Sequence, residues 1–239
     1  MSNLPIDHEI QTPTRAITIG DVVKNAQMEV RAGEEPAWTL WGLVHYLGPD
    51  ATWENKNGEP WSIERLVRSQ TYEPVNTAAC GGTHGLFALA YARNKYLDTG
   101  RRLHGAWIEA DQKIRRHVEE ARSLQNSDGS FSSSFFQGRR YEPDVTKRLG
   151  PSGHTLEFVL ISLPDERLSE NWVRNGIASV SKDLIECRTQ PLDCGPLYHA
   201  VSGLVIYRER MAAKASGSQI AESSAAPLPP ADRTPAATP

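Results

Sequence analysis

The chain has little that would take it into a membrane, onto a nucleic acid or out of a reducing compartment. No apolar run approaches the ~20 residues that span a bilayer. The opening stretch, Met1 to Glu9, lacks the basic and apolar regions of a secretory leader. Lys and Arg number 26 against 29 Asp and Glu, a net charge of −3, so there is no basic field for nucleic acid and no polybasic patch for a membrane surface. Three cysteines, Cys80, Cys187 and Cys194, form no even disulfide framework, which fits a reducing cytosol. No sustained alternation of apolar and polar residues marks a half-buried strand. What remains is the expectation of a cytoplasmic, helical protein of 239 residues, 39% hydrophobic and 23% charged, the balance of an ordinary globular chain.

What is present is an apolar helix that recurs, headed each time by a polar or aromatic residue. Cys80-Gly81-Gly82-Thr83-His84-Gly85 leads into a run from Leu86 to Ala92 that is apolar or aromatic on every face, as in a helix buried all round. The two glycines permit a tight turn, and Thr83 is placed to cap the helix start. Gly153-His154 and Tyr198-His199 open two further runs, and Trp38 stands in the equivalent place ahead of a fourth. These starts lie 46, 70 and 45 residues apart.

Between them fall amphipathic stretches over 17–30, 62–72, 105–124 and 170–185, with apolar residues at steps of three and four. One buried and one amphipathic helix per period indicates a repeat architecture. The expected fold is all-α, a partial α/α toroid of about four helical hairpins over 17–211. A flexible N-terminal arm covers 1–16, and a disordered tail rich in Ala, Pro and Ser covers 212–239. The polar face of the 105–124 helix, Asp111 and Lys113 included, reads as solvated, and so do Arg139-Arg140 and Lys147-Arg148 in a loop over 132–150. If the inner helices run parallel, their N-terminal ends share one rim, and His84, His154 and His199 meet there.

Two family resemblances attach to particular residues. Gln125-Asn126-Ser127-Asp128-Gly129-Ser130-Phe131 resembles the Gln-x-x-Asp-Gly-Ser-Trp repeat of the terpenoid cyclase and protein prenyltransferase toroids, with Phe131 in place of Trp. Tyr198-His199 with Ser202-Gly203-Leu204 resembles a prenyltransferase β-subunit segment whose histidine binds zinc. Asp193-Cys194 is similar to the Asp-x-Cys ligands of that zinc, without the spacer. The Asp-x-Asp-Asp acid motif of the cyclases is absent, which removes the support for terpene cyclisation. Gly153-His154-Thr155-Leu156-Glu157 is similar to the Gly-His-x-x-Glu helix start of sugar 2-epimerase toroids, and this second resemblance implies histidines that move a proton beside a sugar carbonyl. Ser202 stands where those enzymes carry arginine, and both families build six helix pairs where this chain offers about four.

The candidate catalytic set is therefore His84, His154, Glu157 and His199, with Trp38, Cys80, Thr83 and Tyr198 as binding residues around it. Imidazoles with a thiol suit zinc with one position left for water. Without metal, two histidines across a ligand exchange protons near neutrality. Glu157, three residues after His154, shares its helix face and is placed to orient that ring or to take the proton itself, the plainer alternative being a salt bridge with a neighbouring hairpin. Cys80 at a helix start has the setting of a nucleophile, though a buried structural thiol is the plainer expectation. The other function class is a non-catalytic scaffold whose rim grips a peptide, a lipid, a glycan or another small molecule. In either case a partner or a second copy could complete the toroid.

Overall fold

A computed structural model describes residues 4–224, with side chains to 216. In chain order it contains β1 (Glu9–Gln11), β2 (Ala16–Thr18), α1 (Ile19–Glu29), α2 (Ala37–Leu47), β3 (Thr52–Glu54), β4 (Pro60–Ser62) and α3 (Ile63–Tyr72). A 3-10 turn at Ala79–Gly82 leads into α4 (Thr83–Leu97), followed by α5 (Ala106–Leu124) and α6 (Val145–Ser162). A second 3-10 turn at Asp165–Ser169 precedes α7 (Asn171–Glu186) and α8 (Cys194–Ser224). The protein is all-α, its only described strands being two small antiparallel hairpins. No helix among the described residues is long and apolar enough to cross a membrane.

The helices form two layers. α2, α4, α6 and α8 pack in sequence as an inner row, and α1, α3, α5 and α7 lie outside them. The inner helices run parallel, because contacts advance in the same direction along each pair. Trp38 meets His84 and His45 meets Tyr91 between α2 and α4; His84 meets His154 and Arg93 reaches Ser162 between α4 and α6. Between α6 and α8, Gly153 abuts Ala200, and further along Glu157 lies beside Gly203. The core fills the space between the layers, with Leu40, Leu43, Leu89, Tyr96, Trp107, Ile114 and Phe158 fully buried.

The arm at 1–16 is more ordered than expected: it includes β1, which pairs with β2 through Ile10 and Ile17. In a second hairpin, Trp53 of β3 lies opposite Trp61 of β4. That second hairpin is tied to the end of α1 by Trp53 Nε1 donating to Gln27 O at 2.8 Å and Asn55 Nδ2 to Val30 O at 2.9 Å. Both hairpins are too short for periodicity to reveal. At the other end, α8 continues past Met211 to Ser224, and the remainder of the expected tail, 225–239, lies outside the described residues.

The boundary of α6 is a larger correction. The segment over 145–150 is not loop: α6 starts at Val145, capped by Asp144, whose carboxylate accepts from Thr146 N at 3.0 Å. Gly150, Pro151 and Gly153 look like helix breakers in the sequence, yet the helix runs through all three. Gly153 serves packing, since a Cβ there would lie 2.7 Å from Ala200 N, whereas one at Gly150 would make ordinary contact with Pro196 Cγ at 3.6 Å. Burial on both sides holds the helix together where local propensity would end it.

Charges read as solvated are also buried. Arg148 of α6 makes a two-pronged pair with Asp183 of α7, Nη2 to Oδ1 at 2.6 Å and Nε to Oδ2 at 2.9 Å. Arg93 of α4 binds Asp111 of α5 at 2.7 Å and Ser162 O of α6 at 2.8 Å. Lys113 donates to the carbonyls of Gln70, Thr71 and Glu73, the last at 2.6 Å, capping the end of α3. Burial lowers that ammonium to about 8. Arg148 and Arg93 tie inner helices to the outer layer, and Lys113 joins two outer helices, α5 and α3. Sequence alone cannot separate such a residue from a solvated one, because the helix spacing is the same.

The Gln125–Phe131 segment is a staple. Gln125 Nε2 donates to Gly129 O at 2.9 Å and to Trp172 O at 3.0 Å, joining the turn after α5 to the start of α7. Asp128 Oδ1 accepts from Ser130 N at 3.0 Å, and Phe131 is buried edge-on against Trp172.

Candidate functional site

The three histidines meet. Ring centroids of His154 and His199 are 3.7 Å apart, and His84 lies 5.1 Å from the first and 5.2 Å from the second. Only His84 stands at a helix start, however. His154 is in the interior of α6 and His199 is in the second turn of α8, so the residues at this mouth are aligned by helix packing and not by helix ends. The close approach at Gly153 and Ala200 explains the shortest of these distances, because the two histidines are the immediate neighbours of those two residues.

Each ring is held differently. His154 Nδ1 lies 2.8 Å from Gly150 O. A carbonyl can only accept, so Nδ1 carries the hydrogen and Nε2 is the free lone pair. His199 Nδ1 lies 2.7 Å from Glu157 Oε2, and both groups are buried. Glu157 therefore orients His199 across the α6–α8 contact, and not His154 on its own helix as the spacing suggested; the ring of His154 has turned back one turn to Gly150 instead. His84 Nε2 is fully buried and makes no hydrogen bond with the described residues.

Burial disfavours the charged form of His84 and of His154. It lowers His84 below its ordinary value and His154 to about 4, the latter despite its bond to Gly150. An unfolded histidine titrates near 6.5, so the unfolded state takes up the proton first as pH falls. The stability present above about pH 6.5 is therefore lost progressively toward pH 4. We expect urea unfolding in the presence of a chelator to show a loss of about 2 kcal/mol between pH 7.5 and pH 5 from His154 alone. In a His154→Gln variant the slope should flatten. An unchanged slope would show that His154 is already charged, or already exposed, in the folded state.

Cys80 comes to the same place by a strained route. Its φ of 50° and ψ of 37° lie in the left-handed region that non-glycine residues avoid, and Gly81 and Gly82 continue that conformation at φ 59° and 72°. A Cβ on Gly81 would collide with the Phe135 ring, and one on Gly82 would lie 2.8 Å from Val75 O. The two glycines are thus required by close backbone approach as well as by φ. Thr83 Oγ1 donates to Cys80 O at 2.8 Å. Thr83 is buried and its hydroxyl is spent on this turn, so it neither caps the helix amides, as the sequence reading had it, nor lines the cavity. Burial raises the Cys80 thiol above its usual value, the opposite of an activated nucleophile.

A cavity of about 10 Å³ lies among Ala37, Trp38, Trp41, His84, Phe87, Glu157, Tyr198 and His199. Every inner helix contributes to it. That volume is close to the space of one water. Trp38 and Tyr198 stand at its edge, 53% and 46% exposed, and Trp38 packs on His84 at 5.0 Å. Trp41 and Phe87 were not singled out from the sequence, although each sits three residues after a site residue, on the same helix face. Phe135, which closes the Cys80 turn and also has positive φ, left no signal at all.

A larger groove, about 790 Å³, opens at the opposite ends of α4 and α6. It holds none of the candidate residues, and its charged groups are largely paired with one another, as in Arg93–Asp111, Arg115–Asp111 and Arg210–Asp165. Asp193 and Cys194 do not join the histidines: Cys194 is exposed, and the His/Cys group whose donor atoms lie within 4.8 Å of one another is Cys80, His84 and His154. The donor set of the prenyltransferase resemblance is therefore not reproduced by these residues. No family model matches the chain, and neither the curated proteins nor the solved structures give a match.

Proposed function

We propose that this protein is a hydrolytic enzyme of the partial α/α toroid type, in which His199 and Glu157 activate a water in the histidine-lined cavity between the inner helices. The observation that carries the reading is the buried His199–Glu157 pair, 2.7 Å apart, on a cavity with room for about one water. His199 Nε2 takes a proton from that water while the oxygen adds to an electrophilic centre. Glu157 stabilises the imidazolium that results, and the proton returns to the leaving group. Glu157 is a positioning residue, since it acts through His199. The exposed aromatics Trp38 and Tyr198 are where a substrate would rest, with its reactive bond directed inward.

The size of the cavity favours water over a sugar ring, and so sets this reading above epimerase chemistry. A panel of ester, peptide and phosphoester substrates tests it against the scaffold alternative. Turnover is expected to fall about 10²–10⁴-fold in His199→Gln, the range for a lost general base, and Glu157→Gln should lower kcat more than it changes KM. Ligands that bind equally well to wild type and His199→Gln and are never turned over would replace the enzyme with a binding scaffold.

A further inference from the structure

We infer that Cys80, His84 and His154 form a three-donor site for a zinc-class divalent cation. Their ligand atoms already lie within 4.8 Å of one another, and tetrahedral zinc needs donor separations of roughly 3.3–3.6 Å, from bonds of about 2.0–2.3 Å. The three donors would draw closer together as the ion binds. The donors come from the turn before α4, from the first turn of α4 and from α6, so the ion would join two inner helices.

Three independent features point to a ligand there. His154 is more than nine-tenths buried, and its bond to Gly150 O fixes Nδ1 as the protonated nitrogen, leaving Nε2 as a lone pair with no hydrogen-bond partner among the described residues. A backbone carbonyl on the remote nitrogen is the usual orienting partner of a metal-bound imidazole. His84 Nε2 is a buried nitrogen with no partner among the described residues, a cost that a bound ion would relieve. Finally, Cys80 is held in left-handed backbone that its side chain disfavours, and such strain persists where the surroundings impose it. A thiol with two imidazoles favours zinc over magnesium or calcium, which take oxygen ligands. Binding releases the Cys80 proton to solvent and leaves both imidazoles as they are, neutral.

The inference rests on these donors alone and not on the hydrolytic reading. His199→Gln leaves all three donors in place, so it should retain the ion while losing turnover, and the two ideas can fail separately. The full chain, stripped with a chelator, is titrated with Co²⁺ as a spectroscopic stand-in for zinc. One ion per chain is expected, with tetrahedral absorption and a thiolate-to-cobalt charge-transfer band. Cys80→Ser should abolish that band, His84→Gln and His154→Gln should weaken binding more than about 100-fold, and Cys194→Ser should change nothing. Should a ligand variant fail to fold by circular dichroism, the wild type carries the test: Zn²⁺ should protect Cys80 from alkylation, as read by mass spectrometry. Absence of Co²⁺ binding, a charge-transfer band that survives Cys80→Ser, or Cys80 alkylated equally fast with and without Zn²⁺ would each overturn the site.

Discussion

Replacing Gly153 by valine should lower the stability of this protein by about 3 kcal/mol, the upper end for overpacking a well-filled contact. A Cβ at this position would lie 2.7 Å from Ala200 N, 2.9 Å from Ala200 Cα and 3.2 Å from its Cβ. Two of these three atoms are backbone, so no rotamer change relieves the clash, and α6 and α8 must move apart. The effect reaches the site because the next residue is His154, whose ring sits 3.7 Å from that of His199. Urea unfolding measures the loss, with Gly195→Ala as the control. Gly195 is also helical but has open space around it, and alanine there should be neutral or mildly stabilising. A Gly153→Val chain within 1 kcal/mol of wild type would mean that the α6–α8 contact is looser than described.

A comparable loss, about 3–5 kcal/mol, is expected for Asp183→Ala. Asp183 is 1% exposed and binds two nitrogens of Arg148, itself 6% exposed. Removing the carboxylate leaves the guanidinium buried with only Glu142 O at 2.9 Å and the Tyr141 hydroxyl at 3.3 Å. The cost lies mainly in stranding a charge, so the double change Arg148→Met with Asp183→Leu should recover most of it. Chemical denaturation of the three proteins decides the matter. If the double variant is as unstable as Asp183→Ala, the pair itself carries the stability, through hydrogen bonds that an apolar replacement cannot match.

Much of the layout was legible before the fold was known. The all-round apolar character of the segments after Trp38, His84, His154 and Tyr198 separates inner helices from outer ones, and the three-and-four spacing from Trp107 to Leu124 marks an outer helix facing the core. Repetition of a histidine ahead of the apolar runs also foretold that His84, His154 and His199 meet, although packing between the helices brings them together and not a shared set of helix ends. The same logic misplaced the start of α6, because glycines that admit a neighbouring backbone look like glycines that end a helix. It also sent Arg148, Asp111 and Lys113 to solvent, since a charge facing a partner across the layer interface occupies the same helical positions as one facing water.

The sequence by itself thus determined the class, the number of hairpins and the identity of the residues that gather where the inner helices meet. Hydrophobic periodicity is a local property, carried by every turn of the chain, and it survives without knowledge of what packs on what. Only the tertiary structure decided which groups pair: Glu157 with His199 and not His154, Gly150 O with the His154 ring, Cys80 with two histidines from different helices, and Cys194 with none of them. The first of those choices depends on a separation of a few ångströms between residues 42 apart in the chain, Glu157 and His199. It is set by how closely the glycines let two helices approach.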